Sequence, residues 1–173
     1  SKKGSGNLGT TNALRVLGFK AGAVTFIGDI LKGVVSFIIA RWLFPDMGIL
    51  AGIYACAGTI LGHDFPFYLH FKGGKGIAAT IGLVLCIGFT ESMPLMLISF
   101  IIGIVAVAMS GYISLGSMLF SIAIPVCAFF FQLPLEGALV LTALTILALW
   151  KHRANIGRLR AGNENKFTLT KKV

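Results

Sequence analysis

The sequence predicts an all-α integral membrane protein, a compact transmembrane helix bundle with six spans, organised as one domain over residues 1–173. Three observations carry that expectation. Of 173 residues, 56% are hydrophobic and 12% charged, with a mean hydropathy of +0.89, far from the balance of a soluble domain. Apolar runs of span length recur with no polar domain between them, and a bilayer helix needs only about 17 to 25 residues. Lysine and arginine lie almost entirely between and after those runs, as membrane topology requires.

Taken in order, the spans fall at roughly 21–44, 48–69, 76–90, 93–110, 112–131 and 134–150. No alternating ten-residue strand pattern is visible, and hydrocarbon obliges each span to satisfy its own backbone, so all are expected to be helices. Short links such as Phe44-Pro45-Asp46 and Gln132-Leu133-Pro134 imply antiparallel neighbours. Gly48/Gly52 and Gly58/Gly62 have the small-xxx-small spacing of close helix packing. Cys56, Cys86 and Cys127 each fall in a different apolar run and read as small hydrophobes, without metal or disulfide spacing. No cleavable signal peptide is expected, because the chain opens on Ser1-Lys2-Lys3-Gly4.

The net charge of +9 would suggest nucleic acid in a soluble protein. Here the aromatic residues sit inside the spans rather than among the basic ones, so no nucleic-acid partner is expected. With the N-terminal segment inside, the odd connections carry Asp46, Glu91 and Glu136 outside. The even connections and the termini carry Lys2, Lys3, Arg15, Lys20, Lys72, Lys75, Lys151, Arg153, Arg158, Arg160, Lys166, Lys171 and Lys172, thirteen of the fifteen basic residues. The positive-inside rule therefore orients the bundle.

That orientation brings three polar, glycine-containing segments to the inner face: "GSGNLGTTNALR" (4–15), "GHDFPFYLHFKGGKG" (62–76) and "HRANIGRLRAGNE" (152–164). In the first, Gly4, Gly6 and Gly9 match a dinucleotide-binding glycine pattern, but no strand precedes it and a Rossmann unit is rejected. Glycines still let backbone approach an anion, with Ser5, Asn7, Thr11 and Asn12 as neutral partners and Arg15 as a fork. The plainer reading is a cytoplasmic tail with a helix cap at Thr10 or Thr11.

In the second, Lys72 and Lys75 have the position of headgroup anchors. Anchors do not need Gly73, Gly74 and Gly76, which would free backbone N–H groups to converge just before a helix N-terminus. His63, near the inner end of the second span, is either a structural histidine or part of that site. In the third, His152, Asn155 and Arg158 are spaced three apart and would share a helix face suited to acyl or phosphoryl chemistry. Lys151, Arg153 and Arg160 read as contacts to anionic lipid. Within the first span, Asp29 and Lys32 share a face and are expected to pair, a transport relay being the sharper alternative.

Together the segments resemble the bacterial acyl-phosphate-dependent glycerol-3-phosphate acyltransferases, the PlsY family. Its patterns stand here as "SGNLGTTNALR", "FKGGKGIAAT" and "HRANIGRLRAGNE", with "GDILKG" and "YISLGS" in register, so the resemblance covers nearly the whole chain. Thr10 stands where the family usually has Ala. The family also has a helix before its first motif, so seven spans are expected there against six here, the first being absent from this chain.

The resemblance implies transfer of a fatty acyl group from acyl phosphate to the 1-hydroxyl of glycerol-3-phosphate, giving lysophosphatidic acid and phosphate. This is the first acylation of phospholipid biosynthesis, at the bacterial cytoplasmic membrane. It implies a monomer among membrane lipid, with no cofactor and no metal. It places Lys75, His152, Asn155, Ser5 and Arg15 in catalysis. Asn7, Thr11, Asn12, Gly73, Gly74, Gly76, His63, Lys72 and Ser117 are placed in substrate binding, with Ser114 a weaker candidate. Acyl phosphate is already activated, so positioning and charge neutralisation suffice. His152, His63 and a substrate phosphate oxygen are all candidate bases, and substrate assistance with His152 as organiser is preferred. The competing classes are an organic-phosphate transporter and a noncatalytic lipid-binding scaffold.

Overall fold

The computed structural model describes residues 9–167. A short helix α1 (Thr10–Leu17) starts after Gly9, which caps it without a side-chain bond. Gly18, at φ +88, turns the chain directly into α2 (Phe19–Leu43). The two helices fold against each other so closely that a Cβ on Gly22 would lie 2.8 Å from that of Leu14. With 25 residues, α2 is about 37 Å long.

Prolines set the next two boundaries. Pro45 ends α2 and opens a 3-10 turn (Pro45–Met47), and Pro66 limits α3 to Ile49–Asp64. The second expected span, 48–69, is therefore too long by five residues at its inner end: the residue before a proline leaves the α-region, and Phe65 does so. Residues 65–76 form a loop containing a 3-10 turn (Phe67–Leu69) and three left-handed residues, His70, Phe71 and Gly76. Four helices complete the bundle: α4 (Ile77–Thr90), α5 (Met93–Ser110), α6 (Ile113–Phe130) and α7 (Leu135–Lys151). The Ser92 hydroxyl caps α5 by accepting the Leu95 N–H. After a 54° bend at His152, α8 (Arg153–Arg160) runs off α7.

Helix α4 is the centre. Eight of its fourteen residues are buried, against three of 25 in α2, so a short α4 is enclosed by neighbours while α2 turns most of its surface outward. Phe37, Ile53, Leu83, Ile87, Leu95, Ile124 and Leu141 form the packed interior. Outside, Trp42, Ile104, Val126 and Ile146 are exposed, an apolar exterior that suits lipid as solvent. Helices α2, α5 and α6 are each long and apolar enough to cross a bilayer, and α7 with α8 qualifies as a fourth, bent crossing.

The glycine contacts follow expectation in part: a Cβ on Gly52 would lie 2.4 Å from the Phe37 ring of α2, while one on Gly48 meets nothing within 4 Å. Gly58 and Gly62 meet nothing within 4 Å, so that pair packs no helix. Close approach occurs instead at Gly33 and Gly82, where added Cβ atoms would lie 2.6 Å from the Ala79 carbonyl and 2.4 Å from that of Ile30. Gly103 and Gly116 do the same between α5 and α6. At one end of the bundle, Arg41 pairs with Glu91 at 3.3 Å and Tyr54 donates to Glu136. The polar segments gather at the other.

Candidate active site

The "FKGGKG" loop is zipped to the end of α3. Gly73 N–H donates to the Asp64 carbonyl at 3.2 Å, and Gly74 N–H to the His63 carbonyl at 3.1 Å. A Cβ on Gly73 would sit 2.0 Å from the His63 carbonyl oxygen, and one on Gly74 would sit 1.9 Å from His63 Nε2. These two glycines are thus required by the protein's own packing, and their amides are engaged internally. That corrects the expectation that they converge on an anion. Gly76, at φ +67, does line a large polar cavity beside Lys75, while Lys72 is exposed outside it. Gly74→Ala is expected to cost about 1–3 kcal/mol through overpacking, read as a lower melting temperature in detergent. Gly157→Ala, where a Cβ meets nothing within 4 Å, serves as the control and is expected to leave melting nearly unchanged.

Lys75 reaches across to the third segment, its Nζ donating to Asn155 Oδ1 at 2.5 Å. Asn155 Nδ2 donates to Glu164 Oε1 at 2.9 Å, and Arg158 Nε to Glu164 Oε2 at 2.7 Å. Glu164 therefore fixes which way the Asn155 amide faces. Burial alone would raise its carboxyl, but the Arg158 and Asn155 hydrogen bonds and the Arg158 charge outweigh burial and hold it below the usual carboxylate range.

His152 occupies the bend beyond the last residue of α7, so it shares a cavity with Asn155 and Arg158 without sharing one straight helix face, as the spacing alone had implied. It is 2% exposed. Its Nδ1 lies 2.8 Å from the Ala148 carbonyl, which only accepts, so Nδ1 carries the proton and Nε2 keeps its lone pair. Burial first, and the Lys75 charge second, lower its pKa to about 4, so the imidazole is neutral at physiological pH.

His63 has the opposite tautomer. Lys32 Nζ contacts its Nδ1 at 2.5 Å and also Asp29 Oδ1 at 2.8 Å. An ammonium only donates, so His63 Nδ1 accepts and Nε2 bears the hydrogen. The expected Asp29–Lys32 pair is present, with His63 as an unforeseen third member 3.4 Å from Asp29.

A cavity of about 660 Å³ unites these groups. Its walls include Asn12, His63, Lys75, Gly76, Ser117, His152 and Asn155, seven of the expected site residues, with Thr10 and Ser114 beside them. Ser5 and Asn7 lie outside the described residues. Thr11 and Arg15 fall within α1, and their side chains lie outside the described set. Lys151, expected to face lipid, instead lines the cavity and donates to the Asp64 carbonyl at 2.7 Å. Asn165 and Phe167 also line it, on a segment secured by Phe167 N–H donating to the Gly111 carbonyl at 2.7 Å. Only the adjacency of Lys151 to the third segment, and the place of Glu164 at that segment's end, hinted at their involvement.

A second, apolar groove of about 370 Å³ runs between α4, α5 and α6. It shares Ile77, Ile81, Ile113 and Ser117 with the polar cavity, so the two lie side by side with a common wall. Cationic and amide groups at one end and hydrocarbon at the other suit an amphiphile with an anionic head.

Comparison with known proteins agrees with that chemistry. The family model described as glycerol-3-phosphate acyltransferase matches residues 1–162. The glycerol-3-phosphate acyltransferase of Shouchella clausii is 42% identical over 173 residues, covering 95% of this chain and 80% of that protein. The one from Alkaliphilus metalliredigens is 43% identical over 166 residues, with the same coverage of 95% and 80%. The crystal structure of PlsY (YgiH), an integral membrane glycerol 3-phosphate acyltransferase, in its glycerol 3-phosphate form superposes with a TM-score of 0.85 at 33% identity, covering 95% of this chain and 80% of that one. Its lysophosphatidic acid form gives a TM-score of 0.83.

Proposed function

This chain belongs to the glycerol-3-phosphate acyltransferase family, an integral membrane family that includes PlsY, and on that premise we propose that it transfers a fatty acyl group from acyl phosphate to the 1-hydroxyl of glycerol-3-phosphate. The products are lysophosphatidic acid and inorganic phosphate. The observation that carries this reading is the adjacency of the polar cavity and the apolar groove, which have Ile77, Ile81, Ile113 and Ser117 as a common wall. Such a shape takes an acyl chain and its phosphate together.

In this reading the acyl chain lies along α4, α5 and α6, and its phosphate meets Lys75, Ser117 and the first segment, including Ser5, Asn7, Thr11, Asn12 and Arg15. The 1-hydroxyl attacks the acyl carbonyl, an ester C–O bond forms, and the bond from carbonyl carbon to phosphate oxygen breaks. Lys75 offsets the charge that builds on the departing phosphate. Before attack His152 Nε2 accepts the hydroxyl's hydrogen bond and orients it; as the oxygen attacks, that hydrogen turns to a phosphate oxygen, which takes the proton. His63 has its Nδ1 lone pair engaged by Lys32 and its Nε2 carrying the hydrogen, which argues against it as the base.

The charge asymmetry of the connections supports six crossings with the cavity facing the cytoplasm of a bacterial cell, and a single catalytic domain acting as a monomer belongs to the same proposal. The transporter reading lacks support, because Arg41, Glu91, Tyr54 and Glu136 pair at the far end of the bundle rather than continuing a polar path.

Purified protein in detergent or lipid mesophase, given acyl phosphate and glycerol-3-phosphate, is expected to release phosphate and form lysophosphatidic acid. Failure with acyl phosphate, acyl-CoA and acyl carrier protein donors alike would remove the enzyme reading. The groove has its own test. Ala108→Trp places an indole in the apolar groove and is expected to raise KM for long-chain acyl phosphates about tenfold over short ones, leaving KM for glycerol-3-phosphate unchanged.

A further inference from the structure

Asp64, the last residue of α3, is 0% exposed, and neither of its carboxylate oxygens has a hydrogen-bond partner among the described residues. A buried carboxylate without donors is costly unless nearby charge compensates it. Compensation is close. A Cβ on Gly76, the residue preceding α4, would come within 3.3 Å of Asp64 Oδ1, so the carboxylate lies beside the positive end of that helix. Lys151, Lys32 and Lys75 act on it electrostatically, in falling order. The Asp64 backbone carbonyl meanwhile holds Lys151 Nζ and the Gly73 amide. Asp64 does not line the cavity; it sits behind the Lys75–Gly76 turn that does.

The remaining acids have other duties. Of the six in the sequence, Glu164 is bonded to Arg158 and Asn155, and Asp29 to Lys32. Asp46, Glu91 and Glu136 stand at the far ends of their helices. Asp64 is left to offset Lys75 and Lys151. With no hydrogen bond to its carboxylate among the described residues it acts through its field, and a field in a protein interior reaches several ångströms with little screening.

We propose that Asp64 is a positioning counter-charge, acting through Lys75 and Lys151, that weakens their hold on phosphate so that the anionic product leaves. The inference rests on the reading of the cavity as a phosphate site. An enzyme that binds two phosphates and must release one gains nothing from cations that hold the ground state too firmly.

The test is direct binding of inorganic phosphate to the full chain in detergent, measured by titration calorimetry apart from turnover. Asp64→Asn keeps the shape and removes the charge. Its phosphate Kd is expected to fall by roughly three- to tenfold, the effect of one unit charge at partly screened range. KM for glycerol-3-phosphate falls with it, and kcat falls because release slows. A folded Asp64→Asn protein with Kd unchanged or raised overturns the proposal. Should that variant fail to fold, Asp64→Asn with Lys151→Met restores the charge sum and is expected to bind phosphate within about twofold of wild type. A double-variant Kd no tighter than that of Lys151→Met alone overturns it too. A wild-type protein that binds phosphate but transfers no acyl group refutes the acyltransferase reading instead, and leaves the Kd comparison decisive for Asp64.

Discussion

Lys75→Met is expected to reduce kcat/KM for acyl transfer by about a thousandfold, equivalent to about 4 kcal/mol of transition-state stabilisation. The size follows from where the charge sits. Lys75 is held at the mouth of α4 by a turn that is itself fastened to α3, and its Nζ is aimed by Asn155, whose amide is in turn set by Glu164. A preorganised cation costs no rearrangement when negative charge develops on a leaving phosphate, which is why such groups weigh more on turnover than on ground-state binding. Methionine preserves the unbranched stem and most of the volume, so folding is expected to survive. Asn155→Ala leaves the charge but releases its aim, and a smaller loss of about tenfold to a hundredfold is expected. Steady-state assays with acyl phosphate check both. A Lys75→Met protein within tenfold of wild type would remove Lys75 from the mechanism, whereas equal losses in the two variants would mean that aim matters as much as charge.

The parts of this architecture legible in the sequence are those that depend on local pattern. The six apolar runs became helices of 14 to 25 residues, because an apolar run in hydrocarbon must satisfy its own backbone whatever its neighbours do. Pro45, Pro66 and Pro134 mark real breaks, and the second expected span overran only by passing over Pro66. The meeting of the second and third segments was legible too, since charge asymmetry puts both at one end. What the pattern could not supply was rotation. Lys151 has the spacing of a lipid-facing lysine, yet it turns inward because the chain bends by 54° at the next residue, and its ammonium finds the Asp64 carbonyl. Gly73 and Gly74 have the composition of an anion-binding loop, but which way a missing side chain would have pointed is a tertiary fact, and here it points at His63. Likewise Asp29 and Lys32 announce a pair by their spacing, while the third partner comes from a helix 31 residues away.

His152→Gln is expected to lower kcat by about a hundredfold with little change in KM for glycerol-3-phosphate, the size associated with loss of one positioned proton-handling group. The Ala148 carbonyl fixes the proton on Nδ1, leaving Nε2 as an acceptor in the cavity. Glutamine can satisfy one of those partners but cannot place an acceptor where Nε2 stands. The pH profile separates this role from a structural one. Burial, and then the Lys75 charge, lower the imidazole's pKa to about 4, so the neutral, accepting form persists at neutral pH and is lost only as pH falls through that value. Wild-type kcat is therefore expected to show no histidine titration between about pH 6 and 8, and Lys75→Met, which removes a repelling charge, is expected to move the acidic limb upward. A wild-type inflection in that window that disappears in His152→Gln would mean that His152 titrates as an ordinary general base and that the neutral-organiser assignment is wrong. Turnover near wild type in His152→Gln would go further: the hydroxyl would then be oriented, as well as deprotonated, by substrate phosphate alone.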